Sequence, residues 1–286
     1  MFGLSVAATT PFNRQGKIEL DTFAEHITSL MQSGVNSFTF FGTTGEGPSI
    51  NLNEKIEVLS YLCPNVLNSN DVIAAIICSS TADAITEISK YNNLGVNKFL
   101  IAPPYFFSNP SNLGLKEWFS EIFSTQLQAH NQFILYNIPQ VTGVTIENDL
   151  ITELKKDFGS QIIYGIKDSS GDMERANSYL KNKDFMVAIG DERLIADSMA
   201  LGASGSICGL SNIFPQEILE IIKNRQKNTE INALIMELLR FPITPGVKAI
   251  LALKTQNDIW LNVRPPLIKV SKEQISSLKK CLKIPQ

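Results

Sequence analysis

The stretch Ile162–Lys167, IIYGIK, sets the reading of the rest of the chain. It is apolar up to its last residue, a lysine, and it lies between two helix-periodic segments, Asn148–Lys155 and Met173–Leu180. A strand covered on both faces loses the polar alternation of a half-exposed one, so this pattern reads as a buried parallel strand between helices. Working outward, the same unit recurs. Further strand candidates are SVAATT (5–10), NSFTFFG (36–42), VIAAIIC (72–78) and KFLIAPP (98–104). After these come FILYN (133–137), FMVAIGD (185–191) and GSICG (205–209). The helical segments between them are Leu20–Met31, Leu52–Leu62, Ala82–Leu94, Leu115–Gln128, Leu194–Leu201 and Phe214–Lys223. In the first, Leu20, Phe23, Ile27 and Leu30 fall on one face, and Gly34, Gly95 and Gly202 stand where helix C-cap glycines belong. Eight strand–helix units predict an α/β fold, a (β/α)8 TIM barrel over residues 1–225, with a C-terminal helical extension over 226–286 packed on it. A doubly wound sheet would more often carry a GxGxxG turn after its first strand, and SVAATTPF has none.

At 286 residues the chain could form two domains or one large barrel, and no Pro-, Gly- or Ser-rich linker divides it. Its 25 basic and 28 acidic side chains give a net charge of -3, which argues against a nucleic-acid-binding role. Cys63, Cys78, Cys208 and Cys281 form no CxxC or finger spacing and read as small hydrophobes of a reducing compartment. His26 and His130 are the only histidines, so a multi-histidine metal site is excluded. Both fall in stretches that read as helical, as surface or internally satisfied residues. No GxSxG elbow supports a serine hydrolase. The start, MFGLSVAATTPF, lacks a leader pattern, and no apolar run approaches the roughly 18 residues of a membrane span. The expectation is a cytoplasmic protein with no membrane or nucleic-acid partner.

A barrel of this kind carries its chemistry at the carboxyl ends of the strands. Those ends read Thr9-Thr10-Pro11, Gly42-Thr43-Thr44-Gly45-Glu46, Pro103-Pro104-Tyr105, Tyr136-Asn137, Lys167-Asp168, Gly190-Asp191-Glu192 and Gly205 to Gly209. Lys167 stands out because its stem would be buried. Desolvation disfavours an ammonium, and a neutral amine is the form that attacks a carbonyl. The alternative is a rim lysine paired with Asp168. Tyr136 ends the preceding strand and would stand beside that amine, where a polarised phenol can shuttle protons; Thr43 could polarise it. Otherwise Tyr136 merely caps the core. The GTTGEGPS loop (42–49) could expose several N–H groups to a carboxylate, although simple strand-to-helix turning also explains it. It lacks the GK[ST] of a nucleotide P-loop. Glu46 is expected to cap the following helix or brace the turn.

GTTGEGPSI (42–50), YNIP (136–139), GIKDSSGD (165–172) and GASGSICGLSN (202–212), in this order and spacing, resemble the dihydrodipicolinate synthase/N-acetylneuraminate lyase superfamily of class I pyruvate aldolases. The resemblance runs from ATTPF to RPPL at 264–267. It implies that Lys167 forms the Schiff base with a 2-oxo acid and that Tyr136 shuttles protons. It further implies that Thr43 bonds the tyrosine and, with Thr44, holds the substrate carboxylate. Gly190, Ile207, Asp168 and Ser169 complete the expected substrate-binding set. It implies a homotetramer, a dimer of dimers, with no metal and no organic cofactor.

Departures from the pattern bear on the substrate. Dihydrodipicolinate synthases typically read YNVPxRT, with an arginine for the carboxylate of aspartate semialdehyde; here Val141 holds that place. A PYY motif there becomes Pro104-Tyr105-Phe106-Phe107, so a relay hydroxyl is missing. GTTG-x-GPS with K-D-S is similar to 2-keto-3-deoxygluconate and 4-hydroxy-2-oxoglutarate aldolases. The expected activity is cleavage of a 4-hydroxy-2-oxo acid to pyruvate and an aldehyde. The alternatives are condensation of pyruvate with aspartate semialdehyde, dehydration of a sugar acid, and a regulatory barrel that binds a 2-oxo acid without turnover.

Overall fold

The computed structural model describes residues 2–35, 37–107, 109–126, 130–182 and 184–283. Eight parallel strands close in sequence order into one barrel: β1 (Gly3–Ala7), β2 (Phe38–Phe40), β3 (Val72–Ile76), β4 (Lys98–Ile101), β5 (Gln132–Asn137), β6 (Ile163–Asp168), β7 (Met186–Ile189) and β8 (Gly205–Cys208). The barrel helices are α1 (Leu20–Gln32), α2 (Leu52–Asn65), α3 (Thr81–Asn92), α4 (Asn112–Ser124), α5 (Pro139–Thr142), α6 (Asn148–Phe158), α7 (Met173–Leu180), α8 (Ile195–Ala200) and α9 (Pro215–Asn224). The extension supplies α10 (Thr229–Leu238), α11 (Ile243–Thr255) and α12 (Lys272–Cys281). None of the described helices is long and apolar enough to cross a membrane.

Two layers of apolar packing follow from strand alternation. Residues pointing outward, such as Phe133, Leu135 and Ile166, pack under the helices in the main core. Those pointing inward, such as Ile134, Tyr136, Ala188 and Ile207, fill the barrel. Every residue of β3 is consequently buried, which is why its sequence shows no alternation. Side chains close the helix starts: Asn51 and Glu54 form a capping box on α2, and Ser80 and Ser111 cap α3 and α4. Gly34, Gly95 and Gly202 all have the left-handed backbone expected after a helix.

Some boundaries differ from the sequence reading. β1 ends at Ala7, where the Ala7 carbonyl and the Thr9 N–H bond to the side chain of Asn212, just after β8. Helix α4 stops at Ser124; Gln128, the expected end, lies outside the described residues, and His130 sits in a turn with left-handed backbone. The four-residue helix α5, started by Pro139, has no counterpart in the periodicity because it is too short to show any.

Candidate active site

At the carboxyl end of the barrel a cavity of about 550 Å³ opens, with Thr43, Thr44, Tyr136, Lys167, Ser169 and Gly190 on its wall. Pairing of β5 with β6 aligns Tyr136 directly with Lys167. Both are inward positions, so the register brings amine and phenol together. The Lys167 amine donates to the Tyr136 hydroxyl at 3.3 Å and lies 4.4 Å from the ring centre. On its other side the Tyr136 hydroxyl shares a 3.3 Å hydrogen bond with Thr43 Oγ1. Lys167 is only 5% exposed, and among the described residues it forms no ion pair. The pairing with Asp168, the alternative reading of this lysine, is therefore absent.

Gly190 follows β7 on the inward side and leaves room for the lysine. A Cβ there would sit 2.9 Å from Lys167 Cε and collide with Ser169 Oγ. The turn carrying Thr43 is shaped from below. Gly47 packs so closely on the Phe41 carbonyl that no side chain fits, and Thr10 Oγ1 donates to the Gly45 carbonyl at 2.8 Å. Glu46 makes no helix-capping bond. Its buried carboxylate accepts from Lys248 Nζ at 2.6 Å and from the Arg264 N–H at 2.9 Å, so it braces the turn.

Two expected substrate contacts are not on the cavity wall. Asp168 neighbours Lys167 in sequence and therefore points the opposite way across the sheet. It accepts from Asn137 Nδ2 at 2.8 Å and from the Ser170 N–H and hydroxyl, both at 3.1 Å. Burial raises its carboxyl pKa, and these hydrogen bonds oppose the rise. Ile207 is fully buried in the barrel-filling cluster that also holds Tyr136. The neighbouring Cys208 does reach the cavity, but burial pushes its thiol up to about 12, far from a reactive thiolate.

The structure adds residues that the sequence reading did not assign. Glu192 joins the wall; it accepts from the Leu210 N–H at 2.8 Å, and burial raises its carboxyl pKa. Asp191 binds the Arg193 guanidinium through both carboxylate oxygens, the closest contact being 2.6 Å. The strand-end rule had exposed Asp191 and Glu192 as candidates. Nothing in the pattern marked Leu239, Ile243 or Thr244, which the extension brings to the cavity mouth. Val141, on α5, is 61% exposed and lines the cavity, whereas Tyr105 and Phe106 stand outside it.

A parallel eight-stranded barrel with a buried lysine amine against a tyrosine hydroxyl at its carboxyl end is the architecture of a class I, Schiff-base aldolase. The chain belongs to the dihydrodipicolinate synthetase family, whose model matches residues 1–285. This places it among the pyruvate-dependent class I aldolases of the dihydrodipicolinate synthase/N-acetylneuraminate lyase superfamily, and the protein is a lyase. It is 31% identical over 287 residues to an uncharacterized DapA-like lyase of Chloroflexus aurantiacus, covering 97% of this chain and 94% of that one. Identity to the 4-hydroxy-tetrahydrodipicolinate synthase of Bacillus subtilis is 28% over 286 residues, or 96% of each chain. The crystal structure of dihydrodipicolinate synthase from Agrobacterium tumefaciens superposes with a TM-score of 0.94 at 36% identity, over 99% of both chains.

Proposed function

We propose that the protein cleaves a 2-keto-3-deoxy sugar acid to pyruvate and a neutral hydroxyaldehyde, with Lys167 as the Schiff-base residue. The Lys167 amine adds to the C2 carbonyl, and Tyr136 gives its proton to the departing hydroxide, leaving a protonated imine and water. The tyrosinate then takes the C4 hydroxyl proton, the C3–C4 bond breaks, and its electrons move into the imine to form an enamine. Tyr136 returns that proton to C3, and hydrolysis frees pyruvate and the lysine. Thr43 orients the phenol, and the Thr43–Thr44 turn receives the substrate carboxylate. Ser169 and Gly190 lie where the C3–C4 region of the bound acid would pass.

The choice of aldehyde rests on one observation: the wall offers acceptors and no uncommitted guanidinium. Val141 presents an isopropyl group, which cannot replace a bidentate arginine clamp on a second carboxylate. The Arg193 guanidinium is already held by Asp191, and Glu192 adds a further carboxyl. Hydroxyl donors match this surface; a distal carboxylate, as in 4-hydroxy-2-oxoglutarate, does not.

The relatives' names favour a second reading, condensation of pyruvate with aspartate semialdehyde. One panel separates the two. Borohydride reduction with pyruvate should add a covalent mass at Lys167, and pyruvate release should be fastest with 2-keto-3-deoxy sugar acids. Pyruvate consumption with aspartate semialdehyde alone would overturn the proposal, and an unmodified Lys167 would remove its chemical basis. The proposed working form is a homotetramer. Phe106 and Phe107, 78% and 75% exposed in the single chain, are suited to cover by a second copy, and a monomer in sedimentation would refute this.

A further inference from the structure

Helix α11 touches the substrate-binding turn at two points on one of its faces. Thr244 Oγ1 donates to the Thr43 carbonyl at 3.3 Å, and Lys248, one turn further along, binds Glu46 at 2.6 Å. Thr43 and Glu46 thus hold the two ends of the turn whose middle presents Thr44. The Lys248 and Glu46 side chains are both fully buried, and neither reaches the cavity. The Phe12 ring meets two cations, with Lys248 Nζ and Arg264 Cζ each 4.6 Å from its centre. The second Glu46 oxygen is taken by the Arg264 N–H, so the carboxylate is fixed from two directions.

This arrangement is costly as a mere stabiliser. A buried ion pair gains little over apolar residues of the same volume, because both charges must be desolvated. Glu46 also adopts a left-handed backbone with φ of 57°, which a non-glycine residue holds only when its surroundings enforce it. What the pair supplies is one fixed geometry for the turn, and the turn carries the hydroxyl that polarises Tyr136.

We propose that the Glu46–Lys248 ion pair is a positioning device through which the C-terminal extension sets the register of Thr43 and Thr44 against Tyr136 and Lys167. The inference rests on the Schiff-base reading above but not on the identity of the aldehyde. Loosening the pair lets the turn drift while Lys167 and Tyr136 stay in place on their strands. Pyruvate should then be captured more weakly and turned over more slowly, with both chemical residues intact.

The test uses the full chain and three variants, Glu46→Gln, Lys248→Met and the double variant. Readouts are the pyruvate concentration that half-saturates borohydride trapping, kcat, and Tm. Wild-type trapping at Lys167 is checked first; its absence defeats the Schiff-base reading rather than the positioning role. The double variant, free of buried charge, should recover much of the Tm lost in Lys248→Met. Its half-saturating pyruvate concentration should nevertheless stay raised by about tenfold, with kcat reduced toward the roughly 100-fold that a misplacement near 1 Å can cost. A purely structural role predicts instead that capture and kcat return with Tm, and that result would overturn the proposal. Glu46→Gln keeps the side-chain shape and decides alone should the lysine variants not fold: wild-type capture and kcat in it refute the positioning role.

Discussion

Lys167 and Lys248 are both buried against aromatic rings in this barrel, and their partners suit them to different work. Lys248 lies 4.6 Å from the Phe12 ring centre and has a carboxylate 2.6 Å away. Lys167 lies 4.4 Å from the Tyr136 ring centre and, among the described residues, bonds only to a phenol, at 3.3 Å. A carboxylate satisfies an ammonium and fixes it, leaving no lone pair for chemistry. A phenol can give and take a proton, and the open cavity beside Lys167 leaves space for a carbonyl. Burial is common to both residues; the partner and the void distinguish the proposed nucleophile from the proposed brace.

The sharpest break of this contrast comes from exchanging each lysine for methionine. Lys167→Met should lower kcat by about 10⁴-fold or more, the scale for losing a covalent nucleophile, with Tm close to wild type. A residual rate near wild type would assign the chemistry elsewhere. Tyr136→Phe keeps the ring under the amine and removes the hydroxyl. We expect kcat to fall by roughly 10²- to 10⁴-fold, with pyruvate still trapped on Lys167 but more slowly. Normal turnover without the phenol would reduce Tyr136 to a core residue. Lys248→Met should show the inverse profile in stability, a loss of about 3–5 kcal/mol in denaturant unfolding, because Glu46 is left as an uncompensated buried charge. An unchanged unfolding midpoint would mean that water already screens the pair.

The same contrast shows which parts of the site were legible in the sequence. Lys167 and Tyr136 could be read because each ends an apolar strand, and consecutive parallel strands place equivalent ends side by side. Asp168 was misplaced by the same logic applied one residue too far: neighbours along a strand face opposite ways, so proximity to Lys167 in sequence turns it toward Asn137. Ile207 faces inward but is fully buried in the cluster that fills the barrel, so inward direction alone did not bring its side chain to the cavity. Lys248 left no local signal at all. It lies 202 positions from Glu46, in a helix whose apolar residues face several ways, and only closure of the chain around the barrel brings the two together. His26 was legible as a satisfied residue but not as a buried one. It sits against Trp260 and shares a hydrogen bond with Asn212 Oδ1, and desolvation lowers its pKa to about 4.

The smallest expected effect is a pH signature confined to Lys248. Burial lowers its folded-state pKa from 10.5 to about 8, while the Glu46 carboxylate opposes the shift and the Arg264 charge adds to it. Below about pH 8 the lysine is protonated in both folded and unfolded chains, and the cost of burying the ammonium is borne in full. Between about 8 and 10.5 the unfolded chain keeps a proton that the folded chain releases. By linkage, the contribution of this residue to stability rises with pH across that window and levels off above it. The other tyrosines, lysines and cysteines titrate in the same range, so the measurement is the difference between wild type and the Glu46→Gln/Lys248→Met double variant, which keeps neither charge of the pair and in which they cancel. Unfolding midpoints for both, taken from pH 7 to 10.5, should show the wild type gaining on the variant only above about pH 8. A difference that stays flat would mean that the ammonium is as well solvated in the folded protein as in water, and Lys248 would then not be the buried brace that separates it from Lys167.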